Sequence, residues 1–119
     1  MKFKMLISAI LDATVTEADL NYIGSITIDE DLIERANLTA GENVLVVDQT
    51  NGSRLETYVI VGKRGSGVVC MNGAAAHLIN KNDKVAIMAF RWSYGGIAPQ
   101  FVLVDKENKF IGYSEPVIL

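Results

Sequence analysis

The sequence NVLVVDQTNGSRLETYVIV, residues 43–61, contains two runs rich in β-branched and other apolar residues, separated by a polar turn. The runs cover residues 43–47 and 55–61, and the pair Asn51-Gly52 lies between them. An Asn-Gly pair in this position is a strong local signal for a tight turn, because both residues tolerate positive backbone φ angles. The stretch therefore predicts two β-strands joined by a short turn.

Three more runs of the same kind follow. Residues 68–71, 85–90 and 101–104 are short and apolar, and the polar stretch 105–109 is a further turn signal. Short strands separated by turn signals, with few helical patterns, indicate an all-β barrel or sandwich. The 119 residues, 50% of them apolar, suffice for one domain with its own core and are too few for two.

Two short helices are predicted before residue 43. Asp29 or a neighbour caps the first, and acidic residues fill its first turn. Its apolar face consists of Leu32, Ile33 and Ala36. The second is predicted to start at Thr16, because the residues Thr-Glu-Ala-Asp at 16–19 resemble a capping box with Asp in place of Glu.

The amino-terminal run at residues 5–11 has two interpretations. It follows Lys2 and Lys4, so it resembles a minimal secretory signal, or it is a first β-strand buried on both faces. No other apolar run approaches the roughly 18 residues that a membrane span requires, so membrane insertion is not expected.

Charge and residue content narrow the classes of partner. The net charge is −3 and the basic residues are scattered, which disfavours nucleic-acid binding and leaves small molecules or protein chains. The single cysteine, Cys70, excludes an intramolecular disulfide or a multi-cysteine metal site, and we interpret it as a small buried strand residue. The only histidine, His77, is interpreted as a surface residue of a short helix. We expect no metal and a cytoplasmic location.

Residues 72–76, Asn-Gly-Ala-Ala-Ala, combine a permissive turn with three small side chains after a predicted strand. Small residues let backbone amides approach a ligand closely. The alternative is a tight turn into a short helix, and periodicity alone does not separate the two.

Three segments resemble the bacterial aspartate 1-decarboxylase family in both residues and spacing. They are ATVTEADLNYIGS at residues 13–25, NGSRLETY at residues 51–58 and NGAAAH at residues 72–77. The resemblance runs from about residue 5 to residue 90 and fades after that. It implies a mainly β fold, a six-stranded double-psi β-barrel with one or two short helices, assembled as a homotetramer.

The resemblance also implies an inactive precursor that cuts itself between Gly24 and Ser25 into residues 1–24 and 25–119. The Ser25 hydroxyl attacks the preceding carbonyl, and Gly24 removes the steric objection to the unusual geometry that this requires. The resulting ester eliminates to dehydroalanine, which hydrolyses to a pyruvoyl group, so no external cofactor is needed. That carbonyl forms a Schiff base with the substrate amine and accepts electrons as carbon dioxide leaves.

Further roles follow from the same resemblance. Tyr58 is the proton donor to the decarboxylated carbanion, and Thr57 assists self-cleavage and substrate binding. Arg54 pairs with a substrate carboxylate, a task that suits the guanidinium fork. The substrate-lining turn consists of Asn72, Gly73, Ala74 and Ala75.

Strand alternation places Arg54 and Tyr58 on one face of their strand and Thr57 on the other. A site between subunits would use both faces. Ordinary β-propensity is the alternative explanation of Thr57 and Tyr58.

Two stretches depart from the family pattern. Ala9, Leu11 and Asp12 stand where the family usually has lysine, histidine and arginine, so up to three positive charges are absent. Three explanations are open: a pocket for a less acidic amino acid, compensation from elsewhere in the chain, or a protein that keeps the fold but has little activity.

Residues 91–96, Arg-Trp-Ser-Tyr-Gly-Gly, stand where the family usually has a polar helical stretch. They either reshape the pocket, with Arg91 restoring a charge, or form a solvent loop with one buried tryptophan.

The expected function is decarboxylation of L-aspartate to β-alanine and carbon dioxide for pantothenate biosynthesis. One alternative is the same pyruvoyl chemistry on another small amino acid. The other is an uncut barrel that acts as a structural or interaction module.

Overall fold

The computed structural model describes residues 1–115, which form a predominantly β fold. Its strands are β1 (Phe3–Thr14), β2 (Glu17–Asp19), β3 (Ser25–Asp29), β4 (Asn43–Asp48), β5 (Arg54–Gly62), β6 (Val69–Asn72), β7 (Lys84–Ser93), β8 (Gln100–Val104) and β9 (Phe110–Tyr113). Its helices are α1 (Glu30–Arg35) and a 3-10 helix, Gly73–His77. Among residues 1–115, no helix has the length and apolar character needed to cross a bilayer.

The strands form one sheet in the order β2-β6-β3-β5-β4-β7-β1-β8-β9. Three neighbouring pairs are parallel, namely β1 with β8, β2 with β6 and β3 with β5. Asn108, in the β8–β9 turn, donates to the carbonyls of Thr14 and Gly67 and accepts from the Thr14 amide, each at 2.8 Å. Gly67 precedes β6, which lies near one margin of the sheet, and Asn108 lies at the other margin. These bonds therefore bring the two margins of the sheet together. The predicted mainly β, barrel-like fold is confirmed.

The β4–β5 hairpin has the turn that Asn51-Gly52 predicts. Val47 pairs with Arg54 in antiparallel register, Gly52 has a φ of +81°, and its amide donates to the Asp48 carbonyl at 2.8 Å. The other predicted runs also form strands. Residues 1–115 contain nine strand segments rather than six, because short pairings at the sheet margins, such as the three residues of β2, form segments of their own.

The core lies inside the curled sheet, where alternate strand residues meet. Its largest fully buried side chains include Ile10, Ile26, Ile28, Leu32, Met71, Ile79 and Ile87. In the middle of β1, the successive residues Ser8, Ala9 and Ile10 are all buried. The run at residues 5–11 is therefore part of a strand that is covered on both faces.

Helix α1 confirms the first helix prediction. Asp29 caps it, its carboxylate accepts from the Asp31 amide at 2.9 Å, and Leu32 and Ile33 are buried against the core. The prediction of a second helix from Thr16 is wrong, because Glu17–Asp19 forms β2 and pairs with β6. The Thr16 hydroxyl, which would have capped that helix, instead accepts from the Val69 amide at 3.0 Å and donates to the Val69 carbonyl at 3.1 Å.

The Asp29 carboxylate also joins α1 to the turn before β6. It is 2% exposed and accepts the amides of Gly65 at 2.9 Å and Gly67 at 2.8 Å, besides that of Asp31. Burial by itself would raise the pKa of this carboxyl. The three N–H donors, Gly67 foremost, outweigh burial and lower the pKa below its ordinary value.

We expect Asp29 to make the fold sensitive to acid. Because its pKa is lower in the folded chain, its contribution is complete above the unfolded value of about 3.9 and is lost as the pH falls below it. Asp29→Asn should cost about 1–3 kcal/mol at neutral pH and flatten the loss of stability on acidification. Urea unfolding as a function of pH measures both effects. Asp12→Asn, at an exposed carboxylate of β1, is the control, and equal pH slopes in both variants would contradict the assignment.

Candidate active site

A cavity of about 370 Å³ opens between β5 and the 3-10 helix. It is lined by Gly24, Leu55, Glu56, Thr57, Tyr58, Ala74, Ala75 and Leu78. The parallel pairing of β3 with β5 begins at Ile26 and Val59, and Gly24 already belongs to the preceding loop. The first residues of β5 therefore have no partner on β3, and the cavity occupies the space beside residues 55–58.

The register of β3 against β5 explains which predicted residues meet. Continued backwards, it places Ser25 level with Tyr58 and Gly24 level with Thr57. Thr57 and Tyr58 both line the cavity, although strand alternation points them to opposite faces. The cavity lies at the edge of the strand rather than on one face, so both residues line it within a single chain.

Ser25 lies where an exposed loop enters the buried sheet. Gly24 is exposed, whereas Ser25 is 0% exposed. The Ser25 hydroxyl donates to the Ile23 carbonyl at 2.9 Å and accepts from Nδ2 of Asn72 at 3.0 Å. A serine oxygen has one proton and two lone pairs, so these two bonds leave one lone pair of Oγ uncommitted.

Asn72 holds Ser25 from the neighbouring strand. It is the last residue of β6, pairs with Ser25 in antiparallel register and is 3% exposed. Its Nδ2 also donates to the Thr27 hydroxyl at 3.0 Å, and its Oδ1 accepts from the Cys70 thiol at 3.2 Å. Burial raises the pKa of the Cys70 thiol, and the carboxylates of Glu17 and Asp19 raise it further.

Sequence reasoning did not include Thr27 and Cys70 in the site. The signal was present, because residues two apart on a strand share a face. Thr27 stands two residues after Ser25 on β3, and Cys70 two residues before Asn72 on β6. Cys70 is also the small buried strand residue that the sequence predicts.

The 3-10 helix follows the tight turn that was one of the two interpretations of residues 72–76. Ala74 and Ala75 line the cavity, and His77, at the end of the helix, is exposed as predicted. Gly73 has a φ of +66°, and a Cβ there would lie 2.7 Å from N and Cα of Gly24. A Cβ on Gly24 would meet nothing within 4 Å. In this structure, steric contact therefore restricts residue 73 to glycine, whereas residue 24 has room for a side chain.

We expect Gly73→Ala to destabilise the fold by about 3 kcal/mol or more, since strain at positive φ adds to collision with the backbone. Gly41→Ala is the matched control, because Gly41 has a φ of +83° and nothing within 4 Å of its Cβ position. That variant should lose only about 1–2 kcal/mol. Denaturant unfolding measures both. Equal losses would show that the Gly24 backbone does not restrict residue 73.

The charged residues around the cavity differ from the prediction. Arg54 is exposed at the start of β5 and is absent from the cavity lining, so its pairing with a substrate carboxylate stays a prediction. Glu56 does line the cavity, and its carboxylate lies 4.0 Å from Nζ of Lys4. Sequence reasoning did not include Leu55, Glu56 and Leu78 in the site.

Residues 9–12 lie away from this cavity in their own chain. They belong to β1, which is separated from β5 in the sheet by β7 and β4. Ala9 is 1% exposed, and Asp12 has a φ of +55° at a register shift in the β1–β7 pairing. None of these positions is among the residues that line the cavity.

Residues 91–96 likewise lie apart from the predicted site. Arg91 pairs with Glu42 at 3.1 Å, donates to the Asn37 carbonyl at 2.6 Å and lines a different cavity of about 700 Å³. It therefore adds no charge to the cavity beside Tyr58. The alternative of a solvent loop with one buried tryptophan is wrong, because β7 continues to Ser93 and Trp92 is 68% exposed.

Comparisons with known proteins agree with the resemblance in the sequence. A family model described as aspartate decarboxylase matches residues 1–111. An aspartate 1-decarboxylase of Porphyromonas gingivalis is 59% identical over 92 residues, covering 77% of this chain and 78% of that protein. One from Neisseria meningitidis is 55% identical over 111 residues, 87% of each chain. One from Caldicellulosiruptor saccharolyticus is 52% identical over 118 residues, 96% of this chain and 92% of its own.

Proposed function

Because the chain belongs to the aspartate decarboxylase family, we propose that it cuts itself between Gly24 and Ser25 and then decarboxylates L-aspartate to β-alanine and carbon dioxide. The observation that carries the proposal is the state of the Ser25 hydroxyl. It is buried, held by hydrogen bonds to Ile23 and Asn72, and retains a free lone pair beside the cavity that Gly24 lines.

The proposed cut uses the chain's own atoms. Oγ of Ser25 bonds to the carbonyl carbon of Gly24, and the peptide C–N bond breaks, which leaves an ester and a free amine. The hydroxyl proton ends on the departing Ser25 nitrogen, which completes the free amine, and the Ile23 carbonyl holds the hydroxyl by accepting its hydrogen bond before the attack. Loss of the Ser25 α-proton then expels the Gly24 carboxylate and leaves dehydroalanine. Water replaces its nitrogen, ammonia leaves, and residues 25–119 begin with a pyruvoyl group.

The surroundings of Ser25 fit such a group. Ser25 and Gly24 are level with Tyr58 and Thr57, and the absent Cβ of Gly73 leaves room for the loop backbone. A volume of about 370 Å³ is within the usual range for small-ligand pockets. A pyruvoyl group would supply an electron-accepting carbonyl that takes up the electron pair released with carbon dioxide.

The chain's side chains would do the remaining work. Ala74 and Ala75 form a wall with little side-chain bulk, which lets a substrate approach the backbone of the 3-10 helix. The phenol of Tyr58 would give its proton to the carbon that loses the carboxylate. Thr57 lies level with Gly24 and would contact both the scissile peptide and the substrate.

Incubating the cut protein with L-aspartate tests the activity. We expect stoichiometric carbon dioxide and β-alanine. Fully cut protein that produces neither from aspartate would refute the proposed reaction.

One observation favours a second candidate, the same chemistry on a less acidic amino acid. The carboxylate-bearing residue Glu56 lines the cavity, whereas Arg54 does not. A negative charge there repels a dicarboxylate and attracts an ammonium group. A panel of amino acids in a carbon dioxide assay decides between the candidates, and activity with aspartate alone would exclude the second.

The proposal includes a homotetramer that acts in the cytoplasm and supplies β-alanine for pantothenate. A cluster of exposed apolar side chains near the scissile bond supports self-association. It consists of Leu20, Tyr22, Ile23 and Leu78, each at least 49% exposed. Sedimentation of the cut protein tests the assembly, and a monomer would contradict it.

A further inference from the structure

The side-chain amide of Asn72 is held on both sides. Both hydrogens of Nδ2 are used, one on the Ser25 hydroxyl and one on the Thr27 hydroxyl, each at 3.0 Å. Its Oδ1 accepts from the Cys70 thiol at 3.2 Å. Asn72 and Cys70 are both buried, so water does not take the place of these partners.

The Asn72 amide has two possible orientations, which differ by exchange of Oδ1 and Nδ2, and the Cys70 thiol stabilises one of them. Rotation by half a turn would place Oδ1 against the Ser25 hydroxyl, whose single proton is already donated to the Ile23 carbonyl. The same rotation would place Nδ2 against the sulfur of Cys70, which is a weak acceptor. A thiol with its proton therefore favours the orientation in which Nδ2 faces Ser25.

We propose that Cys70 is a positioning residue for self-cleavage, and that its S–H group holds Asn72 in the orientation that donates to Oγ of Ser25. The inference rests on the proposed function, because it assigns Cys70 to the same cut. Cys70 forms no covalent bond in this scheme and acts only through Asn72. Burial and the nearby Glu17 and Asp19 raise the pKa of the thiol, which keeps its proton in place at neutral pH.

Two substitutions separate positioning from packing. Cys70→Ser keeps a donor at this position, whereas Cys70→Val keeps an apolar side chain but removes the donor. Positioning predicts that the Ser variant cuts within about twofold of the unsubstituted rate and that the Val variant is slower by about fivefold or more. Packing predicts the reverse order, because at a position as buried as Cys70 a hydroxyl costs more to desolvate than an apolar side chain. The fraction cut over time, measured by mass spectrometry on freshly purified chains of matched thermal stability, gives the rates.

The outcomes distinguish this inference from the proposed function. If the unsubstituted chain cuts and the Val variant cuts as fast as the Ser variant, the inference is overturned and the proposed function stands. If the unsubstituted chain never cuts, the role in cleavage fails with the proposed function. Hydrogen exchange at Nδ2 of Asn72, followed by NMR, then decides whether Cys70 orients the amide: exchange should quicken in the Val variant only, and unchanged exchange overturns the orientation as well.

Discussion

Ser25→Ala leaves a single uncut chain of 119 residues with no decarboxylase activity. This is the expected result, because the substitution removes the hydroxyl of the residue that follows the Gly24 carbonyl, which is hydrogen-bonded to both Ile23 and Asn72. The remaining Cβ has no lone pair to attack with. Mass spectrometry of the purified variant measures the cut, and a carbon dioxide assay measures the activity.

Ser8→Ala is the matched control for this substitution. Ser8 is also a buried strand serine, at 1% exposure, but its hydroxyl has no hydrogen-bond partner within residues 1–115. We expect the Ser8 variant to cut and turn over normally. Two fragments from the Ser25 variant would show that a group other than the Ser25 hydroxyl is the nucleophile.

Tyr58→Phe should separate the cut from the catalysis. The variant keeps the ring that lines the cavity and loses only the phenol proton, so we expect normal self-cleavage. Turnover of aspartate should fall by about a hundredfold or more, the usual contribution of a general acid, with little change in KM. Steady-state kinetics on fully cut protein provide both constants.

Tyr113→Phe is the control for loss of a tyrosine hydroxyl. The Tyr113 hydroxyl donates to the Arg35 carbonyl at 2.9 Å, and its ring lines the other cavity, so activity should not change. A Tyr58 variant that turns over as fast as this control would show that another group donates the proton.

Local sequence signals predicted those parts of the fold that depend on local chemistry. The Asn51-Gly52 turn and the Asp29 cap are both formed by residues within a few positions of each other. Thr16 shows the limit, because its hydroxyl bonds to the backbone of Val69, far along the chain, and that contact overrides the local capping pattern. A capping box and a strand start look alike when the deciding partner is distant in sequence.

The sequence predicted many of the residues that line the candidate site, but it did not predict how they are arranged. The alternation rule treated β5 as a strand with two separate faces, whereas the cavity lies at its edge because β3 begins late. That offset is a tertiary register, which no local pattern specifies. The register of β3 against β6, which pairs Ser25 with Asn72, brings Gly73 against Gly24, so the need for glycine at 73 did not follow from the sequence alone.

The intact mass of the freshly purified, unsubstituted protein tests the central claim most directly. We predict two chains, residues 1–24 and 25–119, with the larger one lighter by one ammonia than a chain that begins with serine. That mass would identify the blocked, carbonyl-bearing terminus before any substrate is added. A single polypeptide of 119 residues that persists on prolonged incubation would contradict the account and favour an uncut structural or interaction module.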